Sequence, residues 1–170
     1  MRAIIIAAGR GSRLGSITDD LPKPLVTING KSILERQISL FNKMGINDIV
    51  VVTGYKRDKI KFENIKYVVN DDYNTTEQLF SLMKARSFFS GELIVSYGDI
   101  IYDEKILRQI VNQEDNFLLA VDPNWKQSYA ERPDNPAMFS DFISLNNDKI
   151  TKFFTNLDEE SDNIDEVVEF

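Results

Sequence analysis

Residues 3–8, AIIIAA, form an unbroken run of small and apolar side chains that leads straight into GRGSRLG. A run with no polar alternation suits a strand buried on both faces, and such strands belong to parallel sheets covered by helices. Similar runs return in DIVVVTGY (48–55), IKYVV (65–69), ELIVSYGD (92–99) and FLLAV (117–121). Helix patterns lie between them. Ser32 and Glu35 make a capping box, Leu34, Ile38 and Phe41 follow at helical spacing, and Gly45 fits a C-terminal stop. In residues 75–89, Thr75 and Gln78 stand at capping-box spacing, with Leu79, Leu82 and Met83 on one face. Asp103 caps a helix carrying Ile106, Leu107, Ile110 and Val111. Strands alternating with helices predict an α/β fold with a doubly wound, mostly parallel sheet.

After Val121 the pattern changes. Residues 122–140 read as loop, with Pro123, Pro133 and Pro136. Residues 142–154 read as a β-hairpin around Asn146, Asn147 and Asp148. An acidic stretch fills 158–166, and the final VVEF has the character of a strand. A fold seldom stops inside a strand, so the natural chain is expected to continue past Phe170.

The chain has 170 residues, a net charge of −7 and no cysteine or histidine. That balance, with an isoelectric point near 4.7, argues against a general nucleic-acid binder, which needs a broad basic surface. The missing residue types exclude disulfides, thiolate zinc sites, Cys or His nucleophiles and His bases. Carboxylates, lysine, arginine, hydroxyls, backbone amides and a hard metal ion remain for chemistry. The first apolar run is shorter than a signal-peptide core, and no segment approaches the ~20 apolar residues of a membrane span. A cytoplasmic protein without membrane partners is expected.

The basic loop after the first strand admits several readings. Gly9, Gly11 and Gly15 resemble a dinucleotide fingerprint, but that motif needs a helix directly after the glycines and a carboxylate at the end of the second strand. Here a long loop with prolines follows, and the second strand ends in Thr53-Gly54-Tyr55. A P-loop is suggested by Gly30-Lys31-Ser32, yet Leu25 stands where that motif requires glycine. A triphosphate cradle accounts for more of the stretch. Glycines admit phosphate oxygens to backbone amides, Arg13 offers a planar fork, and Lys23 is a point charge fenced by Pro22 and Pro24.

The paired segments Gly9, Gly11, Ser12, Arg13, Leu14 and Pro22, Lys23, Pro24, Leu25 resemble the signature of nucleotidyltransferases that activate sugar 1-phosphates and related phosphorylated small molecules. GINDIVVVTGY and the strand ending at Gly98-Asp99 fit the same pattern. NDDYNTTEQLFSL (70–82) and DPNWKQSYAERPDNP (122–136) are most similar to the small cytidylyltransferases acting on phosphocholine or phosphonates. The resemblance implies a Rossmann-like nucleotidyltransferase fold in one domain, with a nucleotide-binding core at 1–121 and an acceptor-side segment at 122–170. It implies Mg2+ as cofactor, and a nucleoside triphosphate and a small phosphorylated acceptor as partners. A sugar-1-phosphate enzyme using UTP, dTTP or GTP, and a non-catalytic nucleotide-binding domain, are the alternatives.

The resemblance also assigns roles. Ala7, Ala8, Gly9, Arg10, Gly11 and Ser12 would hold the triphosphate, Arg13 the departing phosphates, and Lys23 the charge at the α-phosphate. Asp99 would bind the metal, while Asn70, Thr75 and Thr76 would face the base. Read as residues alone, Asp99 and 70–72 are equally turn formers. Trp125, Tyr129 and Arg132 either line the acceptor pocket or belong to a loop packing its own aromatics. Two departures stand out. Gly15-Ser16 stands where members of that family often have an arginine-proline pair, and the second metal carboxylate that the resemblance implies is not identifiable in DEESDNIDEVVEF (158–170).

Overall fold

The computed structural model describes residues 1–130, 141–147, 149–154 and 167–169, with backbone alone at 128, 129 and 167–169. The chain forms two compact units, Met1–Lys105 and Ile106–Phe170.

In the first unit, β1 (Arg2–Ala7) is the predicted buried strand, and Ala3, Ile4 and Ile5 are fully buried. The long loop that follows is more ordered than its composition suggests. It contains 3-10 turns at Ser12–Thr18 and Lys23–Leu25, then a small hairpin of β2 (Thr27–Ile28) and β3 (Lys31–Ser32). Asn29 and Gly30, both at positive φ, form its turn, as Asn-Gly pairs do in two-residue hairpins. The apparent P-loop remnant is therefore a hairpin strand leading to an N-cap.

Ser32 caps α1 (Ile33–Lys43), its hydroxyl accepting from the Glu35 amide at 3.1 Å. The buried stripe of α1 is Ile33, Leu34, Gln37, Ile38 and Phe41. Then come β4 (Ile49–Thr53), buried at every position, and β5 (Lys66–Val69). The next helix corrects the sequence reading. α2 spans only Gln78–Lys84, because the Thr75 hydroxyl and amide both donate to the Asp72 carbonyl and close a turn instead of capping. Its inner face is Ser81 and Ala85, with Leu82 half-buried, whereas Leu79 and Met83 are exposed. Small side chains let this helix approach the sheet closely, and Ala85 joins Ile4, Val50 and Val52 in one cluster.

β6 (Leu93–Tyr97) completes a wholly parallel sheet of order β5-β4-β1-β6. Ala3 sits level with both Ile49 and Ile94. Each aliphatic side chain buried here contributes roughly 1.5–3 kcal/mol, which makes the sheet a firm base for its loops. The Asp103 carboxylate accepts from the Lys105 amide at 2.8 Å and so caps α3 (Glu104–Val111), as expected.

In the second unit, residues 117–121 form no strand, with Phe117 and Leu118 exposed. An apolar run supplies strand propensity but not a ladder partner, and this stretch has no ladder among the described residues. α4 (Trp125–Tyr129) follows. The expected hairpin is present as β7 (Phe142–Asn146) and β8 (Lys149–Phe154), with Asn147 at positive φ. β9 (Val167–Glu169) pairs antiparallel with β7, giving the order β8-β7-β9. The acidic stretch at 158–166 lies outside the described residues.

Candidate active site

Every loop implicated by sequence in the first unit leaves the C-terminal end of a parallel strand. The strand order reverses between β1 and β6, and open α/β sheets bind ligands at the crevice beside such a reversal. The glycine loop follows β1, and Gly98-Asp99 follows β6. Across that gap the Lys23 Nζ donates to Asp99 Oδ2 at 2.6 Å. Two residues 76 positions apart, selected from sequence for separate roles, thus meet. Their side chains are 31% and 39% exposed, so the pair is reachable from solvent.

Gly11 seats the lysine. It lies at φ 72°, and a Cβ there would fall 2.7 Å from the Lys23 Cβ. Only glycine satisfies both the left-handed backbone and that close approach. Ala7 ends β1, buried Ala8 accepts a bond from the Tyr55 amide at 2.9 Å, and Gly9, Arg10, Ser12 and Arg13 are exposed along the loop. Thr18 braces the loop from below, its hydroxyl donating to the carbonyls of Gly11 and Gly15. Gly15 takes φ 57°, ψ −135°, a conformation an arginine would strain. That accounts for the departure from the arginine-proline pattern.

Beside the cradle lies a pocket of about 370 Å³ lined by Arg10, Gly11, Ser12, Tyr55, Tyr73 and Asn74. The Tyr55 hydroxyl is shared between the carbonyls of Thr18 and Asp19, its ring meets Tyr73 edge-on at 6.1 Å, and the Arg10 guanidinium lies over it at 5.6 Å. Arg10 also pairs with Asp19 at 3.0 Å. The sequence reading missed Tyr55 and Tyr73; the signal was an aromatic placed directly after a strand-end glycine.

Asn70 is fully buried, its amide donates to Thr76 and Ser81, and its carbonyl oxygen accepts from the Asp72 amide. These bonds engage the side chain in shaping the loop after β5. Thr76 likewise donates to Asp72, and Thr75 is exposed on the same turn. In the second unit Trp125 is 6% exposed and packs on Phe142 with ring centroids 4.7 Å apart. Of the two readings left open for it, internal packing is the observed one. The side chain of Tyr129 and all of Arg132 lie outside the described residues.

No group of three or more His, Cys, Asp or Glu is assembled among the described residues. Asp99 places one carboxylate at the strand reversal, and a hard divalent cation commonly takes one or two carboxylates. Tyr102, half-buried beside Ser96, has its hydroxyl pKa raised by burial and stays protonated at neutral pH.

The parallel sheet brings a glycine-basic loop to face the Asp99 carboxylate at its strand reversal, which defines the class as an α/β protein with a strand-end site. The chain belongs to the MobA-like NTP transferase domain family, whose model matches residues 3–140. It is 32% identical over 158 residues to the CTP:phosphoglutamine cytidylyltransferase of Campylobacter jejuni, covering 86% of this chain and 62% of that protein. It is 33% identical over 106 residues to the choline-phosphate cytidylyltransferase of Streptococcus pneumoniae, covering 60% of this chain and 46% of the relative. The chain thus spans less than two thirds of the length of these relatives. Among solved structures, the Thermotoga maritima inositol-1-phosphate CTP transferase superposes with a TM-score of 0.73 at 22% identity, covering 99% of this chain and 67% of that one. That likeness concerns the fold. No helix among the described residues is long and apolar enough to cross a membrane.

Proposed function

We propose that this chain transfers CMP from CTP to a small phosphorylated or phosphonate acceptor. An acceptor oxygen attacks the α-phosphorus, the bond from that phosphorus to the bridging oxygen of the β-phosphate breaks, and pyrophosphate leaves. The acceptor oxygen is already ionised at neutral pH, so the absence of histidine and cysteine is no obstacle. Positioning and charge neutralisation carry such a transfer. The observation that carries the reading is the Lys23–Asp99 pair, which brings a cation and a carboxylate together at the strand reversal.

Amides of residues 8–12 and Arg13 hold the triphosphate tail, and Lys23 neutralises charge growing at the α-phosphate. Asn70, Thr75 and Thr76 act through the shape of the base-side loop. Asp99 is the residue that would hold Mg2+, which when bound withdraws charge from the phosphate oxygens. The similarity to cytidylyltransferases supports CTP as donor. A substrate of this kind and a chain free of cysteine suit the cytoplasm.

A thermal-shift panel of CTP, UTP, GTP, ATP and dTTP, with and without Mg2+, tests the donor. Ligand at a hundred times its dissociation constant adds about 2.7 kcal/mol, and CTP is expected to give the largest shift. Release of pyrophosphate with phosphocholine or related acceptors tests turnover, and Lys23→Met is expected to lower kcat by at least about 100-fold. Wild-type turnover in that variant would sink the mechanism. A preference for UTP, dTTP or GTP would move the assignment to a sugar 1-phosphate acceptor. Nucleotide binding without pyrophosphate release would leave a binding domain.

A further inference from the structure

Asp99 is exposed, but the groups that fix its position are buried beneath it. Gln37, on α1, is 2% exposed. Its Nε2 donates to the Tyr97 carbonyl at 2.8 Å and to the Ile100 carbonyl at 2.7 Å. Its Oε1 accepts from the Ser96 hydroxyl at 3.0 Å. The two carbonyls flank Gly98-Asp99, so one buried amide grips both ends of the turn that carries the carboxylate. From the other side, the Gly98 amide donates to the Ile6 carbonyl at 2.8 Å, and a Cβ on Gly98 would lie 2.9 Å from the Ala7 Cβ. The turn is therefore pinned between α1 and β1. The Asp99 carboxylate itself accepts from Lys23, while these groups hold the backbone on either side of it.

The amide uses both N–H donors and its oxygen on this one strand end. Glutamine suits the place because it donates twice and accepts once from a planar head. An apolar side chain of the same length would fill the space and leave two strand-end carbonyls without their donor. Partly buried carbonyls that lose their donor seek other partners. The turn would then rotate, and the carboxylate would move away from Lys23.

We infer that Gln37 is a positioning residue for the proposed transfer, setting where the Asp99 carboxylate stands relative to the triphosphate cradle. The inference rests on the proposed role of Asp99 at the metal and phosphates. Gln37 bonds the backbone on either side of Asp99 and the Ser96 hydroxyl, so it acts through the backbone.

The test uses the full chain and calorimetric binding of CTP, once in EDTA and once in saturating Mn2+, with no turnover needed. In the wild type, Mn2+ is expected to tighten CTP binding, and Asp99→Asn is expected to abolish that gain. Gln37→Met is expected to shrink the gain about tenfold, the size expected for two lost hydrogen bonds, while affinity in EDTA stays within about twofold. Ser96→Ala, which removes the bond to Gln37 and the longer contacts to the Tyr97 carbonyl and the Tyr102 hydroxyl, is expected to shrink it about two- to threefold, and it carries the test if Gln37→Met fails to fold. A role in packing alone would lower the melting temperature and leave the gain untouched, which overturns the inference. Equal loss in EDTA and in Mn2+ overturns it as well. Loss of the gain in Asp99→Asn but in neither second variant defeats the role of Gln37 and leaves the site reading standing. An undiminished gain in Asp99→Asn defeats both.

Discussion

Lys23 shows how one side chain can hold two positions in a reaction. Its ammonium sits 2.6 Å from Asp99 Oδ2, the carboxylate oxygen that a divalent ion would take in the proposed function. The triphosphate offers the lysine a stronger partner, because a phosphate oxygen and a charged amine make a charge-assisted bond. Lysine on a flexible stem can swing between the two, where a planar, forked arginine could not do so as readily. A consequence follows for the nucleotide-free protein. Lys23→Met is expected to bind Mn2+ about three- to tenfold more tightly than the wild type in a titration followed by electron paramagnetic resonance, although the same change cripples turnover. Unchanged or weaker Mn2+ binding would show that the ion pair does not stand in the metal's way.

At the scale of elements, the site depends on ties between loops that follow different strands. Tyr55 makes the main one. It follows β4, fastens the end of the Ser12–Thr18 turn through its hydroxyl, and meets Tyr73 from the loop after β5. Tyr55→Phe keeps the ring and removes the tie. The KM for CTP is expected to rise about three- to tenfold with kcat changed less than about threefold, since a net neutral hydrogen bond is worth about 1 kcal/mol. An unaltered KM would mean that the loop holds its shape without Tyr55. This tie was not legible in the sequence, because a tyrosine at a strand end carries no record of which carbonyls it will reach. The strands β1 and β4 were legible because a strand buried on both faces is apolar throughout; β5, largely exposed, and β6, buried at alternate positions, were legible from their β-branched and aromatic residues. The glycine-basic loop was legible too, because its glycines and cations sit close together in the chain. The bracing by Gln37 and Asn70 was not, because a buried amide looks the same in sequence whether it contacts a ligand or braces a turn. Residues 117–121 misled differently, offering β-propensity that no partner takes up among the described residues.

In the first unit as a whole, the two ends of the sheet do different work. The strand C-termini carry the cradle, Asp99 and the aromatic pair, and they are open to ligand. The N-terminal ends are bound together by charge. Asp48, just before β4, receives Arg2 from β1 at 2.7 Å and Lys66 from β5 at 2.8 Å. Arg2 reaches on to the Phe88 carbonyl and lies over the Phe88 ring at 5.5 Å. The bonds from Arg2 and then Lys66 pull the Asp48 pKa down to about 2, against a partial opposing effect of burial. A carboxylate whose folded pKa lies below its unfolded value of about 3.9 stabilises the fold above that unfolded value and loses the contribution as pH falls toward the folded pKa. Asp48 is 35% exposed, so solvent screening limits the effect to about 1 kcal/mol. In urea melts, Asp48→Asn is expected to be less stable than the wild type by that amount at pH 7, with the gap constant down to about pH 4 and closing between pH 4 and pH 2. A gap that stayed constant down to pH 2 would place the contribution of Asp48 in its shape and not in its charge. Because the triad lies at the opposite strand ends from the cradle, CTP affinity measured at pH 7 should be the same in the two proteins. A drop in that affinity would show that strain at the N-terminal ends travels along the strands to the site.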